Sequence, residues 1–218
     1  DREKTKKFIH HLINEGVHGI FIAGTTGEAP LMNLDQRKEI IDIGVEATAG
    51  KVPLFAGTGH NGTRIAVELS KYAENAGADA VIVFLPHYPM PTQEGFYEHY
   101  KAIGEAVNIP VFVYCWEQDG VEIAPEIVAR LAEEGYVQGI KDSTSELNHI
   151  SRILWLTGGK ITVFTGLETK VLPSLVLGAD GSICSIANLI PREMVEIYDL
   201  FRAGKIEEAR GKQLSIMG

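Results

Sequence analysis

Short apolar runs alternate with amphipathic helical patterns along the whole chain, and that alternation limits the fold more than any other feature. The runs fall at 19–24, 52–56, 80–85, 110–114, 137–143, 161–165 and 181–185. Most are continuous stretches of Val, Ile and Phe, the pattern of strands covered on both faces. Apolar residues at helical spacing fill the intervals, at 2–15, 35–49, on to about 76, through 107, then at 125–134, 146–157, 168–177 and 191–202. A final helical stretch begins near Ile206.

Repeated strand–helix units of this kind build a parallel sheet. Seven strands are countable, whereas a closed barrel of the TIM (β/α)8 type needs eight. The chain opens on a helix where a first strand would precede it. The expected fold is therefore α/β, a TIM (β/α)8 barrel whose first strand and C-terminal helices lie outside this sequence. An open doubly wound sheet is the alternative, but no Gly-x-Gly-x-x-Gly follows any strand. No linker or low-complexity tract divides the chain, so residues 1–218 read as one barrel domain truncated at both ends.

Composition removes several function classes. A formal net charge of −9 argues against nucleic acid or an anionic membrane as partner. No apolar run approaches the roughly 20 residues of a membrane span, and the opening Asp1-Arg-Glu-Lys carries no signal-peptide pattern. Cys115 and Cys184 lie far apart in apolar runs, which suggests buried thiols and a reducing, cytoplasmic setting, with no disulfide framework or zinc site.

Barrel active sites sit at the C-terminal ends of the strands. Lys141 ends the fifth visible strand in Val137-Gln-Gly-Ile-Lys-Asp-Ser143, among apolar neighbours. Burial there would favour a neutral amine, able to attack a ketone and form an imine. The plainer alternative is a lysine that turns to solvent. Tyr114 ends the fourth strand, Thr25 and Thr26 follow the first, and Tyr88 lies in the loop after the third. Converging on one mouth, they offer a nucleophile, a proton-shuttling phenol, and hydroxyl and N–H groups for a carboxylate.

These residues carry a resemblance. Gly24-Thr-Thr-Gly-Glu28, Pro86-His-Tyr88, Tyr114 and Gly139-Ile-Lys-Asp142, in order and at matching spacing, resemble the dihydrodipicolinate synthase / N-acetylneuraminate lyase family of class I, pyruvate-handling aldolases. The resemblance implies that Lys141 forms the Schiff base and that no cofactor or metal is required beyond that covalent imine. It implies that Tyr114 relays protons, that Thr25 links two tyrosines, and that Thr26 and Gly27 grip the pyruvate carboxylate. Tyr88 matches a tyrosine lent to a neighbouring subunit, which implies a homo-oligomer, a dimer or a tetramer.

The chain departs from the family after Tyr114. Dihydrodipicolinate synthases usually continue Asn-Val-Pro-x-Arg, whereas this chain reads Cys-Trp-Glu-Gln-Asp-Gly, with Asp119 in the arginine's place. Trp116 and Glu117 would suit a polyhydroxy chain. His87 replaces a tyrosine common at the subunit contact and reads as a packing residue. The first expectation is thus an aldolase that joins or splits pyruvate and an aldehyde within a 2-keto-3-deoxy sugar acid. The second is 4-hydroxy-tetrahydrodipicolinate (dihydrodipicolinate) synthase or N-acetylneuraminate lyase. A non-catalytic keto-acid-binding protein would not need an imine-forming amine, and a metal-dependent aldolase would need histidines and carboxylates at the strand ends.

Overall fold

The structure is a computed structural model and describes residues 1–116 and 122–217. In chain order the elements are α1 (Arg2–Asn14), β1 (Ile20–Ile22), α2 (Leu34–Thr48), β2 (Leu54–Gly57), α3 (Thr63–Ala76) and β3 (Ala80–Phe84). Then come α4 (Gln93–Gly104), β4 (Val111–Cys115), α5 (Pro125–Glu133), β5 (Gly139–Asp142) and α6 (Leu147–Thr157). The chain continues with β6 (Thr162–Thr165), α7 (Val171–Leu177), β7 (Gly181–Ser182), α8 (Pro191–Arg202) and α9 (Ile206–Ser215).

The helix starts follow local chemistry. Asn33 caps α2 in a reciprocal box with Gln36, and the Thr92 hydroxyl accepts from the Gly95 N–H at the head of α4. Gly77 closes α3 at φ 102°, a left-handed conformation in which a side chain would be strained.

The seven strands pair in sequence order, every neighbour parallel. The sheet is curled. On a flat sheet β2 and β6 would stand about 19 Å apart, at about 4.8 Å per strand. Instead the Phe55 and Phe164 rings meet at 6.0 Å, and Phe112 stacks on Phe164 at 5.8 Å. These rings fill the inside of the curl, while the larger core, with Ile41, Leu54, Tyr100, Leu131 and Ile153, lies between sheet and helices. β1 and β7 do not pair, and a cleft of about 990 Å³ runs along that flank between α1 and α8 and up to the strand ends.

Four element boundaries correct the sequence reading. The last strand is only Gly181–Ser182, because its ladder partner β6 ends at Thr165 opposite Ser182, and Ser185–Asn188 is a 3-10 turn. Helix α4 stops at Gly104, not near 107, where the chain passes so close to Tyr136 that a Cβ at 104 would lie 2.8 Å from its Cα. The stretch 168–177 begins as a 3-10 turn, Glu168–Lys170, and the residues after Thr25 and Thr26 lead into a 3-10 turn, Ala29–Leu31. Cys184 is only partly enclosed, whereas Cys115 is buried. No helix among the described residues is long and apolar enough to cross a membrane.

Candidate active site

The mouth of the curl is built from strand ends. β4 and β5 are in register with Tyr114 opposite Lys141, so the two side chains leave adjacent strands on the same face. Lys141 is 7% exposed, and its Nζ lies 3.9 Å from the centre of the Tyr114 ring and 5.1 Å from that of Phe21. Among the described residues no carboxylate stands within ion-pairing distance of this nitrogen. The carboxyl of the next residue, Asp142, is turned to the other face of the strand, toward His149. The alternative of a solvent-facing lysine is set aside by this burial.

The Tyr114 phenol oxygen reaches the Thr25 hydroxyl at 3.2 Å. Thr25 is brought there by a tight turn after β1. Ala23 adopts a left-handed φ of 52°, and Glu28 N–H closes the turn on the Thr25 carbonyl at 2.9 Å. A non-glycine residue in that region stores strain of order 1 kcal/mol. Thr26 and Gly27, both exposed, line the same cleft from this turn. Trp116, 40% exposed, stands at the rim.

One expected residue does not join this group, and another is not described. Tyr88 is 78% exposed on the loop after β3 and is not among the residues lining the cleft. Glu117 lies outside the described residues, as does Asp119. His87 is exposed, with its ring 5.9 Å from Phe84 beside a small apolar recess at Tyr114 and Trp116.

Three residues at the site carried no sequence signal that singled them out. Ser143 follows Lys141 by two positions, which puts it on the lysine's side of the strand, and it donates its N–H to Cys115 at 2.8 Å. Gly166 follows β6; a Cβ there would collide with the Ser143 hydroxyl and come within 3.0 Å of Lys141 Cε. Cys184 follows β7, and burial pushes its thiol up to about 12. The rule that strand ends carry the site, applied to β6 and β7, would have found the last two. No group of three or more His, Cys, Asp or Glu positioned to hold a metal occurs among the described residues.

Comparison with known proteins agrees with this geometry. Residues 1–217 match the Dihydrodipicolinate synthetase family. The chain is 39% identical over 218 residues to the 4-hydroxy-tetrahydrodipicolinate synthase of Pelobacter propionicus, covering 100% of this chain and 75% of that protein. With the protein of the same name from Thermodesulfovibrio yellowstonii it shares 40% over 211 residues, 96% of this chain and 72% of the relative. Both carry the name of the second activity expected from the sequence. The dihydrodipicolinate synthase of Aquifex aeolicus superimposes with a TM-score of 0.96 at 33% identity, over 99% of this chain and 74% of that one. A prophage protein of the family from E. coli K12, solved in complex with pyruvate, superimposes with a TM-score of 0.95 at 28% identity, over 100% and 74%. The chemistry of this group is a covalent imine between a lysine and pyruvate, without an external cofactor. With its parallel curled sheet and its match over almost every residue, this chain belongs to the dihydrodipicolinate synthetase family of pyruvate-dependent class I aldolases.

Proposed function

We propose that Lys141 is the imine-forming residue and that the protein joins pyruvate to aspartate semialdehyde, as a 4-hydroxy-tetrahydrodipicolinate synthase. The observation that carries this reading is the Lys141 nitrogen, buried over the Tyr114 ring with no described carboxylate to pair with. Attack of this amine on C2 of pyruvate expels water and leaves a cationic imine. The imine draws electrons from C3, which loses a proton and becomes the carbon nucleophile. As C3 bonds to the aldehyde carbon, the aldehyde oxygen takes up a proton. Tyr114 is placed to supply it, its phenol held by Thr25. Thr26 and Gly27, in the turn below, are suited to the pyruvate carboxylate. Tyr88, on its exposed loop, is left free to reach a second copy in a homo-oligomer. The substrates are small metabolites, which fits a cytoplasmic setting.

A second reading has its own support. Among the described residues lining the cleft there is no arginine, and Lys141 is the sole lysine. The carboxylate of aspartate semialdehyde therefore has no guanidinium in view, while Trp116 offers an aromatic face at the rim. That combination favours a 2-keto-3-deoxy sugar acid, whose aldehyde half carries hydroxyls.

Borohydride reduction in the presence of pyruvate tests the shared chemistry: a reduced three-carbon adduct is expected on Lys141, and unmodified protein overturns it. Turnover of pyruvate with aspartate semialdehyde, against turnover with D-glyceraldehyde, then decides between the two substrates.

A further inference from the structure

Lys141 is not the only buried lysine at this end of the sheet. Lys170, in the 3-10 turn Glu168–Lys170 that leads from β6 into α7, is 8% exposed and does not line the cleft. Its amine donates to the Thr144 carbonyl at 2.5 Å and stands 4.0 Å from the Asp142 carboxyl. Lysines are rarely buried this far, because the head group must be taken out of water. A turn that needed only packing would take an apolar residue here. The length of the lysine instead lets the loop after β6 hold the main chain of the loop after β5.

What it holds is the turn that follows Lys141. One oxygen of the fully buried Asp142 accepts from the Thr144 N–H at 2.9 Å and from the Thr144 hydroxyl at 2.7 Å. The other oxygen is held by the Nδ1 side of His149, on α6. Ser143 sits between Asp142 and Thr144 and is tied from three directions. Its own N–H donates to the Cys115 carbonyl of β4 at 2.8 Å. The carbonyl of the residue before it, Asp142, accepts from the Gly166 N–H at 2.6 Å. The carbonyl of the residue after it, Thr144, accepts from Lys170. Both of these last donors belong to the one loop between β6 and α7.

The Ser143 hydroxyl is thereby set against Gly166. A Cβ on Gly166 would stand 1.8 Å from this hydroxyl and 3.0 Å from Lys141 Cε, so the serine and the lysine stem border the same small space. Ser143 and Lys141 both line the cleft. With no described carboxylate in ion-pairing distance of its nitrogen, Lys141 is aimed by the walls of its stem, the Tyr114 and Phe21 rings and this serine. We infer that Lys170 is a positioning residue for Lys141 that acts through Ser143, fixing the 142–144 turn so that the serine hydroxyl walls the lysine stem. The inference rests on the reading above, in which Lys141 forms the imine.

The rate at which borohydride traps pyruvate on Lys141 reads the aim of the amine. Lys170→Met should slow it about tenfold, within the roughly 100-fold that a 1 Å misplacement costs. Ser143→Ala should slow it by a similar factor. Adding Lys170→Met to Ser143→Ala should then slow it by no more than about twofold, because residues that act through one contact are not additive. Lys170→Gln, whose amide ends one bond short of the Thr144 carbonyl, is the second variant should the methionine variant not fold. The same slowing and the same coupling are expected of it. Trapping at the wild-type rate in a folded Lys170 variant overturns the inference. So does an equal slowing with and without Ser143→Ala, the mark of a residue that only holds the fold. Failure to trap pyruvate on the wild-type protein refutes the imine reading instead. Amide exchange at Ser143 then judges the turn alone: it should quicken in the Lys170 variant, and unchanged exchange overturns the inference.

Discussion

The Thr25 hydroxyl and the Tyr114 phenol oxygen meet at 3.2 Å across 89 residues of sequence. The contact exists because β1 and β4 are brought across the inside of the curl, with the Phe21 and Tyr114 rings edge to face at 6.4 Å. Replacing Tyr114 by phenylalanine keeps the packed ring and removes only the phenol oxygen, the proposed proton carrier. A kcat loss of roughly 10²- to 10⁴-fold is expected, the usual range for a positioned acid or base. Thr25→Val leaves the phenol in place but unaligned, so about a tenfold loss is expected, equivalent to one hydrogen bond of about 1.4 kcal/mol. Steady-state kinetics on both variants checks the order, and equal losses would remove the distinction.

Gly166 gives the second prediction. Its alanine variant must move the Ser143 hydroxyl, 1.8 Å from the added carbon, and crowds the Lys141 stem, whose Cε would stand 3.0 Å from it. Displacing a nucleophile by about 1 Å costs on the order of 10²-fold. The overpacking itself costs about 1–3 kcal/mol of stability. Borohydride trapping should slow markedly in Gly166→Ala at a temperature where circular dichroism shows the fold intact. Trapping at the wild-type rate would mean that Ser143 alone gives way.

The proposed catalytic triplet was legible because each member lies at or just after a strand end, and a parallel barrel turns strand ends into neighbours. Lys141, Tyr114 and Thr25 needed only the strand count to be placed together. Gly166 and Ser143 were not legible, because glycine and serine after a strand read as an ordinary turn, and their role is a matter of ångströms. His149 was hidden differently. Its partners come from β5 and from the segment before α5, so no spacing along one element relates them. The short β7 misled because Ile183-Cys-Ser185 has strand composition, yet its ladder partner β6 ends at Thr165, opposite Ser182, and Ser185 already starts a 3-10 turn.

Arg37 carries a prediction about the scaffold. It is 2% exposed on α2, and its guanidinium donates to the Gly57 and Gly59 carbonyls, both at 2.7 Å. Those carbonyls end β2 and start the following loop, so one planar group fastens a helix to a strand end. Burial lowers the Arg37 pKa to about 10, which still leaves it charged at neutral pH. Arg37→Met should cost about 2–4 kcal/mol, because two buried acceptors lose their donors. Arg37→Lys should recover little of it, since a single ammonium does not match the fork. Urea unfolding at pH 7 measures both.

His99 makes stability fall on the acid side. It is 3% exposed on α4, with Nδ1 at 2.9 Å from the Thr63 hydroxyl and no partner for Nε2 among the described residues. Burial, helped by the charge of His60, pushes its pKa down to about 4. In the unfolded chain the same ring titrates near its ordinary 6.5. Below that value the unfolded state takes up a proton that the folded state refuses, so stability is full above 6.5 and drains away as pH falls toward 4. The loss from this one group between pH 7 and pH 5 is about 2 kcal/mol, at about 1.4 kcal/mol per pH unit. His99→Gln removes the titrating ring while keeping a side-chain amide near Thr63. The drop in unfolding free energy between those two pH values should shrink by about 2 kcal/mol in this variant. An unchanged drop would mean that His99 accepts its proton within the folded protein.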